Sequence, residues 1–151
     1  LIAYRESALS PMTRRPSFCT LYVQRGQLER GKMGYPVRVL IADDRIRSRN
    51  GLRALLSTCS GVDVIGEAAS GYETLQFVER HKPNVVVMDA RMPVMDGFTA
   101  TQAIKQHWPE VRVVILTMYG AHRADALDSG ADAFLVKGCP TESMLAAILN
   151  S

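Results

Sequence analysis

Five short apolar runs recur along the chain, separated by stretches long enough for one helix each: VRVLIA (37–42), VDVIGEA (62–68), VVVM (85–88), VRVVILT (111–117) and AFLV (133–136). The third run is apolar at odd and even positions alike, which reads as a strand buried on both faces. Between the runs, apolar residues fall at helical spacing: Leu52, Leu55 and Leu56 within Ser48–Cys59, then Leu75 and Val78 after Gly71. Further helices are predicted over Gly97–His107, near 121–129, and over Thr141–Leu149 with Thr141 as its cap. Strand and helix in strict alternation imply right-handed crossovers and a parallel sheet covered on both sides. The expectation is one doubly wound α/β domain.

Composition agrees and removes several alternatives. A chain of 151 residues, 47% apolar and 22% charged, has room for one core. No apolar run approaches the roughly 18 residues needed to cross a bilayer. Three cysteines, Cys19, Cys59 and Cys139, lack metal-ligand spacing, and a reduced cytoplasmic protein is expected. Residues 1–36 carry six basic side chains (Arg5, Arg14, Arg15, Arg25, Arg30, Lys32) against Glu6 and Glu29, and lack a helical or strand period. They read as a disordered or non-native leader, with Met33 as the expected natural start. Thr13-Arg14-Arg15 hints at an export signal, but Gln24 and Arg25 interrupt the apolar stretch that should follow. Residues 37–151, the domain proper, have a net charge of −1, which does not favour nucleic-acid binding by the domain itself.

The polar residues that close the strands carry the chemistry. Asp43 and Asp44 follow the first strand, Asp89 the third and Lys137 the fifth, and Thr117 ends the fourth. In open parallel sheets, ligands bind at the carboxyl ends of the strands, where strand order reverses. Strand ends often carry a lone Asp or Thr as a cap, but five polar exits on one sheet edge call for another explanation. Three carboxylates in one site raise one another's pKa unless a cation is supplied. An all-oxygen donor set with few protein ligands fits Mg²⁺. Lys137 adds a compact positive charge and Thr117 a directional donor, so the set is complementary to a phosphoryl group. An aspartate there can act as the nucleophile and form an acyl phosphate.

VRVLIADD, VVVMDARMPVMDG, VVILTMY and GADAFLVKG stand in this order in the chain. With them, residues 37–150 resemble a receiver domain of the two-component response regulators, most similar to the NarL/FixJ (LuxR-type) subgroup. The resemblance implies a flavodoxin-like (βα)5 fold with strand order 2-1-3-4-5. It implies Asp89 as phosphoacceptor, and Asp44, Asp89 and the main-chain carbonyl of Arg91 as Mg²⁺ ligands, with Asp43 acting directly or through metal-bound water. It further implies Lys137 as the phosphoryl counter-ion, and Thr117 and Phe134 as the switch pair. The implied donor is a histidine kinase, a phosphotransfer protein or a small acyl phosphate. The implied interaction surface, for homodimerisation or an output domain, is formed by the fourth helix, fifth strand and last helix. The chain is not expected to be an enzyme beyond catalysing transfer onto its own Asp89.

Some residues depart from the family pattern. Phe134 stands where many members have tyrosine, the stretch from Thr117 to Lys137 is about two residues short, and Gly138 occupies a common proline position, so no cis peptide is expected there. NarL-like members continue into a helix-turn-helix domain; no output domain is expected within these 151 residues. A haloacid-dehalogenase-like phosphatase would need a second Asp where Arg91 stands. A degenerate receiver acting as a phosphorylation-independent interaction module remains the alternative, and an incomplete acidic set would favour it. His81, His107 and His122 are scattered, and Trp108-Pro109 reads as a helix end, so these four are assigned structural roles.

Overall fold

The computed structural model describes residues 34–149. Nearly all of the 1–36 leader, including Met33, lies outside the described residues. From Val37 onward the elements alternate as expected: β1 (Val37–Ala42), α1 (Ile46–Ser57), β2 (Val62–Ala68), α2 (Gly71–His81), β3 (Val85–Asp89), α3 (Gly97–His107), β4 (Arg112–Thr117), a 3-10 turn (Gly120–His122), α4 (Arg123–Asp128), β5 (Ala133–Val136) and α5 (Thr141–Leu149). The five strands are parallel in the order 2-1-3-4-5.

Alternation along the strands divides the interior into two layers. Leu40, Ala42, Val86, Met88, Val113 and Ile115 face Val78 of α2, Ala100 and Ile104 of α3, and Ala126 of α4. The intervening residues Val39, Ile41, Val85, Val87, Val114 and Leu116 face Leu56 of α1 and Met144, Leu145 and Ile148 of α5. A period of two therefore buries both sides of β1, β3 and β4. Each fully buried Val, Leu or Ile side chain contributes about 1.5–3 kcal/mol from area removed from water.

Helix starts follow local chemistry. Ser70 caps α2 by accepting from the Glu73 amide, and the Glu73 carboxylate accepts from the Ala69 amide just ahead of the cap, so two amides at the helix start are satisfied. Asp96 caps α3 by accepting from the Thr99 amide at 2.8 Å. Several details differ from expectation, among them the start of β4 at Arg112 rather than Val111. Thr141 is the first residue of α5 rather than its cap, and the Ser143 and Met144 amides turn back to the Pro140 carbonyl. Asp89 is the last residue of β3 rather than the first after it, because β3 still pairs with β4 there. The fourth helix is reduced to six residues behind a 3-10 turn; it sinks only Ala126 fully into the core, so burial gives it little reason to extend.

Candidate functional site

The strand order reverses between β1 and β3, and the acidic residues stand at the carboxyl ends of those two strands. Asp43, Asp44 and Asp89 each offer a carboxylate oxygen within 4.8 Å of the others. Asp43 and Asp89 are buried, whereas Asp44 is exposed. Lys137 arrives from β5 because its amide donates to the Thr117 carbonyl at 2.7 Å, which extends the strand ladder by one bond beyond Val136. Its ammonium then lies 2.7 Å from Asp43 Oδ2 and 3.6 Å from Asp89 Oδ2. Asp43 Oδ1 accepts from the Arg45 amide at 2.8 Å, so both Asp43 oxygens are engaged.

Asp89 is the least compensated of the group. Its carboxyl is pushed above the usual carboxylate range, first by burial, with the Asp43 and Asp44 charges adding to the rise. The Lys137 charge and the Arg91 backbone amide oppose that rise without cancelling it. Desolvation is a larger cause of the rise than the mutual repulsion of the three carboxylates. Two acids, one fully paired and one not, thus stand on adjacent strands.

The loop after Asp89 is tightly constrained. A Cβ on Gly97 would stand 2.1 Å from the Asp89 carbonyl oxygen, so only glycine lets α3 start this close to the strand. Val94 adopts φ +70° and is 93% exposed, with the Met95 amide bonded to the Pro93 carbonyl, which makes a strained γ-turn. Arg91 is exposed, and its guanidinium lies over the Tyr119 ring at 5.4 Å. The aromatic ring of Phe134 is half-buried against the layer containing Ile115, its pairing partner on β4.

Thr117 is almost fully buried, and its hydroxyl oxygen is turned toward the turn that follows, with the Tyr119 amide at 3.3 Å and His122 Nδ1 at 3.4 Å. The three histidines form no cluster along the chain, so spacing alone gives His122 no site role. Folding brings it to Thr117, five residues away, through the 3-10 turn that Gly120 begins. A turn-forming glycine just after a site threonine was the available signal.

An oxygen-rich acidic corner at the switch point of a 2-1-3-4-5 sheet, with a lysine ammonium against it and a threonine ending the next strand, is the arrangement of a receiver of the response-regulator type. Residues 39–149 match the family described as the response regulator receiver domain, and the chain belongs to that family. It is similar to the response regulator protein VraR of Staphylococcus saprophyticus, with 37% identity over 115 residues covering 75% of this chain and 55% of VraR. Its fold is similar to that of a two-component response regulator of the LuxR family from Aurantimonas sp. SI85-9A1, with TM-score 0.72 and 30% identity, covering 77% of this chain and 86% of that one. It is also similar to the isolated REC domain of RcsB from Salmonella enterica serovar Typhimurium, determined in the presence of the phosphomimetic BeF3−, with TM-score 0.70 and 26% identity, covering 78% of this chain and 91% of that one. The chain spans about half the length of the curated relatives it matches. Among the described residues, no helix is long and apolar enough to cross a membrane.

Proposed function

We propose that this LuxR-type receiver accepts a phosphoryl group on Asp89 from a phosphohistidine of a histidine kinase or phosphotransfer protein, and thereby controls a transcriptional output in the parent protein. The observation that carries the reading is the position of Asp89: a buried carboxylate beside two further acids, with the Lys137 ammonium 3.6 Å away. In the transfer, a carboxylate oxygen of Asp89 bonds to phosphorus as the bond from phosphorus to the donor imidazole breaks, and the imidazole leaves with the bonding pair and takes up a proton. Hydrolysis of the resulting acyl phosphate returns the carboxylate and inorganic phosphate. Beyond this self-directed transfer the chain is not an enzyme.

The donor set fits Mg²⁺, because it is built only from oxygen and gathers more negative charge than Lys137 balances. Asp44, Asp89 and the Arg91 main-chain carbonyl would hold the ion, with Asp43 contributing directly or through water. Bound Mg²⁺ neutralises the carboxylates and the charge on the phosphoryl oxygens. Lys137 balances the remaining charge and orients the incoming group. The Thr117 hydroxyl turns inward to donate to a phosphoryl oxygen, a charge-assisted bond stronger than its present contacts. The half-buried Phe134 moves into the space vacated. The output face would include the exposed Met118, Tyr119, Leu127 and Val136 around α4 and β5, with α5 completing it. Because Phe134 has no hydroxyl, its movement changes apolar burial there without making a new polar contact.

Incubation with Mg²⁺ and acetyl phosphate tests the assignment. Phosphate is expected on Asp89 alone, read by mass spectrometry after trapping, and Asp89→Asn is expected to lose it. Incorporation by that variant at the wild-type level would assign the nucleophile elsewhere; no incorporation by a folded, Mg²⁺-binding wild type would leave a phosphorylation-independent interaction module.

A further inference from the structure

We propose that His122 is a positioning residue that competes with the phosphoryl group for the single hydroxyl proton of Thr117, holding the switch in its resting state. This rests on the reading that Thr117 donates to a phosphoryl group on Asp89. A threonine hydroxyl carries one proton and two acceptor sites. The Tyr119 amide, 3.3 Å from Thr117 Oγ1, can only donate and therefore occupies one acceptor site. His122 Nδ1, at 3.4 Å, is the other polar neighbour. With the imidazole proton on Nε2, Nδ1 receives the hydroxyl proton of Thr117, the same proton that the phosphoryl oxygen needs.

The ring is held where it can do this. Phe98, the second residue of α3, meets it edge-on with centroids 5.8 Å apart, and Tyr119 meets it at 5.6 Å. The His122 amide donates to the Tyr119 carbonyl at 3.3 Å, closing the 3-10 turn on which the ring sits. These contacts set the ring beside Thr117, so the competition is between two orientations of the Thr117 hydroxyl. When Thr117 turns to Asp89, His122 loses its partner at the residue immediately before α4. The report of phosphorylation to α4 thus has a polar route of its own. Phe134, whose side chain carries no polar atom, supplies no such route.

The test measures the affinity of the full chain for beryllofluoride with Mg²⁺ by ¹⁹F NMR. Removing a neutral hydrogen bond that opposes binding is expected to tighten it about fivefold in His122→Ala. His122→Asn, whose amide oxygen can stand near the place of Nδ1, is expected to return the affinity to within twofold of wild type. In a Thr117→Ala background, His122→Ala is expected to change it less than twofold. A looser or unchanged affinity in His122→Ala, or the same gain without Thr117, overturns the competition. A measurement that needs no variant is the ¹⁵N spectrum of the wild-type ring without phosphodonor at neutral pH. An unprotonated Nδ1 is expected, and a proton on Nδ1 overturns the proposal. Wild type that fails to bind beryllofluoride, or Asp89→Asn that binds equally well, overturns the phosphorylation reading and the competition with it. Binding at Asp89 without dependence on His122 overturns the competition alone.

Discussion

Glu67 on β2 stands between two arginines of α1, with Arg49 Nε at 3.2 Å and Arg53 Nε in closer contact. Asp89 on β3 has two acids for neighbours and one ammonium at 3.6 Å. The hydrogen bond from Arg53, helped by the one from Arg49 and by both charges, holds the Glu67 carboxyl below its ordinary range; burial and like charge push the Asp89 carboxyl above its own. The first cluster is complete within the protein and joins α1 to β2. The second is short of positive charge and has to find it elsewhere. The two also touch, because Arg49 donates to the Asp43 carbonyl at 2.7 Å, so the satisfied cluster braces the backbone that carries the unsatisfied one. Uncompensated charge of this kind marks a candidate binding site, and compensated charge a structural one.

The largest effect should come from breaking the backbone under the acidic corner. Gly97→Ala drives a Cβ into the Asp89 carbonyl and is expected to cost about 3 kcal/mol in urea unfolding. On the helix that carries the satisfied cluster, a Cβ on Gly51 would meet nothing within 4 Å, and Gly51→Ala is expected to stabilise by about 0.5–1 kcal/mol. Equal costs at the two glycines would mean that the close approach of α3 to β3 is not a constraint.

Added cation sharpens the contrast next. Mg²⁺ at about one hundred times its dissociation constant should stabilise the wild type by about 2.7 kcal/mol. Calorimetry should find that gain kept in Glu67→Gln and largely lost in Asp89→Asn. A full gain in Asp89→Asn would remove Asp89 from the metal site.

Without metal, the same two substitutions should differ in sign. Asp89→Asn removes a desolvated, repelled charge and is expected to stabilise by about 1 kcal/mol, whereas Glu67→Gln strips two arginines of their partner and is expected to destabilise by about 1 kcal/mol, less in high salt. Melting shifts in one direction for both would show the two clusters to be alike.

The smallest signal is in pH dependence. The raised Asp89 pKa means that its contribution is fully present below its ordinary 3.8 and is lost as pH rises through the folded value. The stability advantage of Asp89→Asn over wild type should therefore widen with rising pH across the carboxylate range. The lowered Glu67 pKa means that its contribution is present above 4.5 and is lost as pH falls through the lower folded value. The deficit of Glu67→Gln should therefore shrink on acidification. Parallel pH profiles for the two pairs would contradict the opposite shifts.

Much of this comparison was visible in the chain itself. Apolar runs of four to seven residues placed the strands, and β1, β2 and β5 keep those bounds. The identities and places of Asp43, Asp44, Asp89, Thr117 and Lys137 followed from their positions just where apolar runs stop, because a polar residue in that register emerges at the sheet edge. The Glu67 cluster was not legible. Glu67 reads as one polar position in a strand, and nothing local shows that Arg49 and Arg53, one turn apart on a preceding helix, will face it. The left-handed backbone of Val94 was also hidden, since a β-branched residue gives no sign that it will be held at φ +70°.

The sequence by itself determined the order of elements, the two-sided burial of the central strands and the set of acids at their ends, because these depend on periodicity and on residue type along one segment. Tertiary structure decided how that set is charged and what Thr117 touches. Burial raises Asp89 more than its neighbours do, and a 3-10 turn carries His122 to within 3.4 Å of the Thr117 hydroxyl. Desolvation depends on what packs around a group from the whole domain, and a hydrogen bond on how a turn closes in space. Neither is carried by spacing along the chain.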